Sequence, residues 1–396
     1  MAMPESRPNS ASRASASRFL SRSRGRTSPW HSCFLFSIIL PVLAAILVYR
    51  LDSFDPAPFP LHELTHPPLA APMADARLLR DSQLLGSGLL QGPEDIAFDE
   101  RSGTIYTGTA DGWIKRVKLD DSGSPSVSVE DWVNTGGRPL GVVLGPHDDV
   151  IVADAYKGLL RISGEGAVEL LTNGAEGTEF KLTDAAVIAD DGIIYFTDAS
   201  YKYNNRDFTW DMLEGKPHGR LLSFDPVTKK TQVLVRDLYF ANGIAISPHQ
   251  DYLVVCETFM RRCRRYYLSG KEKGRTEKFI DNLPGMPDNI HYDGDGHYWI
   301  ALASAITTGL DVVQRYPFIR KVAAWVTRYV GEVSMSKNSG IFVVDLEGKP
   351  TAHYHDPGLA LLSTGLKIGT HLYCGSIIYP YILRHNLMEH PTQATA

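Results

Sequence analysis

Apolar and polar residues alternate in short runs along most of this chain, and Asp, Gly and Pro interrupt the runs repeatedly, the pattern of short β-strands joined by turns. The runs group into repeats, which begin at Pro93 (PEDIAFDERSGTIYTGTADGWIKRV), Pro139 (PLGVVLGPHDDVIVADAYKGLLRI), Leu182 (LTDAAVIADDGIIYFTDAS), Ala241 (ANGIAISPHQDYLVVCETFMRRCRRYYL), Pro287 (PDNIHYDGDGHYWIALAS) and Ser363 (STGLKIGTHLYCGSIIYPYILR). Each repeat has a polar or small opener, an alternating strand, a turn and a second strand, often followed by a third. The opener residues are Glu94, Leu140, Thr183, Asn242, Asp288 and Thr364, spaced by 43 to 59 residues with one longer gap. Repeats of this length built from several short strands predict an all-β, six-bladed β-propeller with one four-stranded blade per repeat. Arg77–Leu90 precedes the first opener and is expected to lend a strand to the last blade, closing the ring.

Two insertions break the period. Ser200–Arg220 is rich in aromatics, and Thr307–Asn338 reads as a helix carrying Arg315, Arg320, Lys321 and Arg328. Either could roof one mouth of the propeller or simply pack on its surface, and the basic amphipathic character of the second also suits a membrane surface. Upstream, residues 1–32 are Ser- and Arg-rich and carry Arg7, Arg13, Arg18, Arg22, Arg24 and Arg26 against Glu5, a composition expected to be disordered. Cys33–Tyr49 follows with 17 uncharged residues, near the lower limit for a transmembrane helix. A cleaved signal peptide and a retained signal anchor both fit this stretch. Its length, and the lack of a small-x-small site after it, favour the anchor. With arginines before it and Asp52 and Asp55 after it, the expected topology is single-pass type II, with the propeller in an endoplasmic-reticulum or other endomembrane lumen or in the vacuole. Residues 50–76 read as a Pro-rich spacer, 77–388 as the propeller and 389–396 as a tail.

Composition narrows the choice of partner. The 396 residues are 43% hydrophobic and 21% charged with a net charge of −5, enough apolar content for a large buried core. No basic stripe with interleaved aromatics runs through the body, so a small-molecule substrate is expected rather than nucleic acid, with the propeller a monomer. The cysteines, Cys33, Cys256, Cys263 and Cys374, form no zinc pattern. Cys256 and Cys263 either face each other across a hairpin as a disulfide, which a lumen permits, or remain two buried thiols.

The openers bring the chemistry. First strands of propeller blades line the central channel, so equivalent openers converge on the axis. Glu94, Asn242 and Asp288, with the neighbouring Asp184 and Asn289, then present carboxylate and amide oxygens to one point. Oxygen donors without Cys or His suit a hard cation, calcium or another divalent ion. Turn chemistry alone explains any one of these residues, but their recurrence at one repeat position argues for a site. Asp293-Gly294-Asp295-Gly296, although it resembles part of a calcium loop, lies between two strands and reads as a hairpin turn.

GPEDIAFD, FANGIAISP, CETFMRRCRRYY, LPGMPDNIHYDGDGHYWIAL and LEGKPHGRLLSFDP resemble the plant strictosidine synthase-like proteins, in the branch related to animal adipocyte plasma membrane-associated protein. The resemblance runs from about Leu84 to Leu387 and places the chain with paraoxonases and gluconolactonase-type enzymes. It implies a six-bladed propeller with a divalent ion in the channel and carries over Glu94, Asn242, Asp288 and Asn289 as ligands. Thr183 stands where paraoxonases have an asparagine ligand, so that place is weakened or passes to Asp184. Two departures bear on activity. Thr364 occupies the position of the glutamate that strictosidine synthases use as acid and base, and Leu140 the position of the paraoxonase histidine. Threonine cannot take a proton near neutral pH, which speaks against a Pictet–Spengler condensation. What the resemblance leaves is metal-centred hydrolysis of small esters or lactones, with Asp288 as proton acceptor and His218 as a second candidate base if its loop covers the channel. A condensing enzyme of alkaloid type and a non-catalytic propeller with a structural ion are the alternatives.

Overall fold

The computed structural model describes residues 29–60, 66–119, 127–331 and 337–395. The basic tail expected over residues 1–32 therefore lies almost wholly outside the described residues. Pro29–Leu51 forms a helix, α1, that contains all of Cys33–Tyr49. Among the described residues no helix is long and apolar enough to cross a membrane. The stretch expected as a transmembrane span, Cys33–Tyr49, thus has its helix.

Phe54 onward forms the second compact unit. It is an all-β propeller of six blades. The first strands, Ile96–Asp99, Pro139–Leu144, Leu182–Ile188, Ala241–Ile246, Gly285–Tyr292 and Leu362–Ile368, each start a sheet and touch their counterparts in the neighbouring blades, forming the wall of a central channel. Blade faces pack on one another, so a middle strand is buried on both sides. Val150–Asp154 shows why such strands read as unbroken apolar runs. Val150 and Val152 pack with Ile114 and Val133 of the first blade, while Ile151 and Ala153 pack with Phe196 and Phe224 of the third.

The ring closes with chain from both ends. Gln83–Leu85 pairs antiparallel with Ile382–Arg384 as the fourth strand of the sixth blade, so the last sheet holds residues from near each end of the propeller sequence. The Pro-rich segment, expected as a free spacer to residue 76, is partly built into the body. The Leu69 amide donates to the Asn282 carbonyl (2.8 Å), and Met73–Asp75 pairs parallel to Ala352–Tyr354 in the fifth blade. Gln393–Ala394, in the expected tail, pairs with Met73 and Ala74. These short strands use backbone hydrogen bonds and carry no periodic pattern, which is why the alternation does not reveal them.

Both insertions are helical. Ser200–Arg220 contains α2, Phe208–Glu214, and the second insertion holds two helices, α3 (Thr308–Arg315) and α4 (Pro317–Tyr329), rather than one. The break falls at Tyr316, which is extended because the Pro317 ring disfavours helical geometry in the residue before it; Pro317 then starts α4. Cys256 and Cys263 stand opposite each other in the second and third strands of the fourth blade and form a disulfide, resolving the choice left open by the sequence, and Cys374 is buried and free. Asp293–Gly296 turns a hairpin in which Asp293 Oδ1 accepts from the amides of Asp295 and His297.

The first strands approach closely where glycine lets them. A Cβ on Gly243 would lie 2.6 Å from Asn289 Cα and 2.7 Å from the Ile290 amide, and one on Gly141 would lie 2.7 Å from Ala185 Cα. Backbone cannot yield there without separating the blades. Gly243→Ala is expected to cost about 1–3 kcal/mol by overpacking, measured as a lower urea midpoint; an unchanged midpoint would mean that the channel wall is loosely packed.

Candidate metal centre

The openers meet in the channel. Glu94 precedes the first strand of blade one, Asp184 and Asn242 lie early in those of blades three and four, and Asp288 and Asn289 lie in that of blade five. All are buried. Carboxylate oxygens of Glu94, Asp184 and Asp288 lie within 4.8 Å of one another. Asn289 Nδ2 donates to Glu94 Oε1 (2.8 Å), fixing that carboxylate from the neighbouring strand. Glu94 Oε2, Asn242 Oδ1 and Thr183 Oγ1 are buried oxygens without a hydrogen-bond partner among the described residues. A buried polar atom left unpaired costs about 1–3 kcal/mol, and here unpaired acceptors accompany a cluster of like charges. This donor set fits a hard divalent cation.

Electrostatics point the same way. Burial, then the charges of Asp288 and Asp184, holds the Glu94 carboxyl well above the usual range. Asp184 is raised likewise, by burial and then by Asp288 and Asp95. Burial pushes Asp288 up to about 7, opposed by a hydrogen bond from Asn242 and reinforced by the charge of Asp95. Without a cation, then, the ring holds protons near neutral pH, and bringing a divalent ion to it would reverse that preference.

The ring separates two unlike spaces. On one side is a small cavity of about 80 Å³ whose walls include Leu140, Leu182, Phe240, Phe259 and Met286, with Phe208 and Met212 of α2. Glu94, Asp184, Asn242 and Asp288, with Asn205 and Thr258, supply its polar lining. The insertions cover this mouth. Arg320 of α4 donates to the Leu213 carbonyl of α2 (3.2 Å), and Gln314 of α3 donates to the Phe259 carbonyl (3.1 Å). Of the two placements open from sequence, the structure has the roof. On the other side lies a wide opening of about 690 Å³ lined by Asp95, Asn289, His291 and Lys367 among others.

Of the residues singled out from sequence, Glu94, Asp184, Asn242, Asp288 and Asn289 converge, and Leu140 is in the cavity wall. His218 does not join them. It is buried at the base of the aromatic insertion, with Nδ1 2.6 Å from Asp211 Oδ1, Nε2 3.7 Å from Glu214 Oε2, and the rings of Tyr201 and Tyr203 packed against it. Those carboxylates hold the ring inside the insertion, away from the cavity lining, so His218 is neither a channel base nor a surface residue. Thr364 is buried outside the cavity, donating to Asp95 Oδ1 (2.9 Å) with His291 Nε2 2.9 Å from its hydroxyl. Asp95 and His291 themselves, 2.8 Å apart, escape the sequence reading. Their signal was present but faint: Asp95 follows Glu94, and His291 lies two residues past Asn289, on the same side of its strand.

Known proteins resemble the chain in sequence and in fold. The chain matches the family descriptions "Strictosidine synthase" over residues 184–271 and "Strictosidine synthase-like, N-terminal" over residues 72–117. It is 55% identical to the strictosidine synthase-like 6 protein of Arabidopsis thaliana, covering 90% of this chain and 96% of that one. It is 36% identical to adipocyte plasma membrane-associated protein of Gallus gallus, covering 89% and 88%. Among solved structures, a gluconolactonase from Xanthomonas campestris superposes with a TM-score of 0.54 at 16% identity, covering 81% of this chain and 98% of that one. Regucalcin from Agrobacterium tumefaciens, a calcium-binding protein, superposes at 0.52 and 16%, covering 80% and 95%. At such identities the structural likeness is one of fold.

The raised carboxyls set a pH dependence. An Asp288 carboxyl at about 7 in the folded chain, against an ordinary 3.8, keeps its proton on folding between those values, so its contribution to stability is full below about pH 4 and lost as pH rises through about 7. Glu94 and Asp184 act in the same direction. In chelator, the melting temperature is expected to fall between about pH 5 and pH 8, and excess calcium to restore it most at the upper end, because the ion needs ionised ligands. A chelated protein whose stability is flat across that window would contradict the acidic ring as described.

Proposed function

The chain belongs to the strictosidine synthase-like family, and from that premise we propose that it is a membrane-tethered, divalent-cation-dependent hydrolase of small esters or lactones. The observation that carries this reading is the donor set itself, in which crowded carboxylates and unpartnered buried oxygens line an apolar cavity. The shared fold of the gluconolactonase and of calcium-binding regucalcin supports it. A bound calcium ion would polarise a carbonyl oxygen and offset negative charge that develops on it.

The chain's own residues do the rest. Glu94, Asp184 and Asn242 would supply oxygens to hold the ion, and Asn289 keeps Glu94 in place. Asp288, ionised once a cation joins the ring, is the carboxylate that accepts a proton from water. Phe208 and Met212 add apolar surface to the cavity, and its walls favour an apolar acyl or alkyl group. At the Thr364 position the hydroxyl is committed to Asp95, so a condensation that needs a carboxylate there lacks its base. On this reading α1 tethers the propeller to an endomembrane from the lumenal side. The apolar side chains α1 exposes, and the relative named for its association with the plasma membrane, are what support the tether.

The test uses purified full-length protein with phenyl acetate and simple lactones, with and without chelator. Chelation is expected to abolish turnover, and Asp288→Asn to lower kcat/KM by about 10²–10⁴-fold, the range for loss of a general base, with Asn242→Ala weakening calcium dependence. Activity that survives both chelation and Asp288→Asn would overturn the mechanism. Inactivity throughout, with calcium raising the melting temperature, would make the ion structural and the propeller a binding module.

A further inference from the structure

A helix on the surface of a soluble body normally turns its apolar stripe inward and its charges outward. α4 does the reverse. Arg320 and Lys321 are buried, whereas Phe318, Val322, Val326 and Tyr329 are 57%, 51%, 40% and 75% exposed. Positions i, i+4, i+8 and i+11 share one helix face, so the exposed residues form a continuous apolar strip. Arg320 spends two of its guanidinium nitrogens inside the body. Arg320 donates to the carbonyls of Leu213 and Ala57 and lies over the ring of Phe59, 4.5 Å from its centroid. The inward charge is therefore structural, and the outward apolar strip is what needs a partner.

The chain path identifies that partner. α1 exposes Phe36, Leu40, Leu43 and Leu47. From its last residue, Leu51, to Phe54 is three residues, at most about 11 Å of extended chain. Phe54 packs edge-on against Trp210, 5.6 Å between centroids, and Arg328 of α4 lies 5.4 Å from the Trp210 ring. Any apolar surface that α1 enters therefore has α4 tied to it through Phe54 and Trp210. The strip also has the makeup of an interfacial helix, with Trp325 and Tyr329 side by side and an exposed Arg328.

We infer that α4 docks by its Phe318–Tyr329 face into the interface of the same bilayer that α1 enters, holding the roofed mouth of the channel against lipid. The inference rests on the tether reading for α1. It adds a second membrane contact, made by the propeller itself, to the one made by the N-terminal helix.

The experiment labels single cysteines with the environment-sensitive fluorophore NBD in full-length Cys33→Ser protein, since Cys374 is buried and Cys256 and Cys263 are paired. Labels go at Val322→Cys on α4, Leu43→Cys on α1 and Val227→Cys, an exposed turn residue in blade three. The protein is placed in phosphatidylcholine–phosphatidylserine vesicles with and without shallow doxyl-labelled phosphatidylcholine. Quenching at positions 322 and 43, by about twofold or more for a probe at interfacial depth, with none at 227, is the expected result. Quenching at 43 without 322 would overturn the docking of α4 and leave the tether standing. Quenching at neither would overturn both. A blue shift at 322 that needs no lipid and grows with protein concentration would assign the strip to a second copy of the chain and would likewise overturn lipid docking.

Discussion

Three buried carboxylates cannot be ionised together at the distances found in this channel unless positive charge joins them. Arg138, the cation whose charge acts on Glu94 and Asp184, is a poor substitute. Arg138 is buried and spends its guanidinium on the Gly92 carbonyl, and its charge lowers the Glu94 carboxyl less than each of the acidic neighbours raises it. The ring is therefore a place where the fold holds an unfavourable arrangement, and the rest of the structure has to tolerate it. Close approach of the first strands, made possible at Gly243 and Gly141, is what brings the acids together. Packed faces on both sides of each blade keep them from separating.

Closure serves the same end. A propeller open at one seam could relax by spreading, which would relieve crowding among carboxylates contributed by different blades. Here the seam is sewn by Gln83–Leu85 against the sixth blade, and Met73–Asp75 with Gln393–Ala394 extends the fifth. The disulfide between Cys256 and Cys263 pins the second and third strands of the fourth blade, the blade that supplies Asn242. Strain at the axis and stitching at the rim are thus parts of one arrangement.

Much of this was legible in the sequence because the legible parts are repeated. Six openers at one repeat position gave away the ring, and middle strands buried on both faces gave away the blades. Outer strands such as Val168–Thr172 are half exposed, with Glu169 facing solvent, and taken singly they resemble loops. The strand pairing of Met73–Asp75 escaped because it is short and follows prolines. His218 misled for a related reason. A histidine in an insertion has no counterpart in other blades, so nothing in the repeat tells whether it meets the channel or, as happens, Asp211. Asp95, His291 and Thr364 come from three different blades, and their contact is a product of ring closure that no single repeat displays.

On the hydrolase reading the three acids take different roles. Glu94 and Asp184 are each crowded by several acidic neighbours, and both are driven far toward the protonated form when no cation is present. Such groups suit ligation, where the ion supplies the missing charge. Asp288 differs because the hydrogen bond from Asn242 opposes its burial and leaves its carboxyl at about 7. In the cation-free ring Asp288 is therefore the least strongly protonated of the three, which suits the acid that takes a proton rather than one that only ligates. The amide of Asn242 therefore has two functions at once. Its oxygen is an unpartnered donor for the ion, and its NH2 sets the proton affinity of the neighbouring acid, so losing Asn242 would disturb binding and proton transfer together.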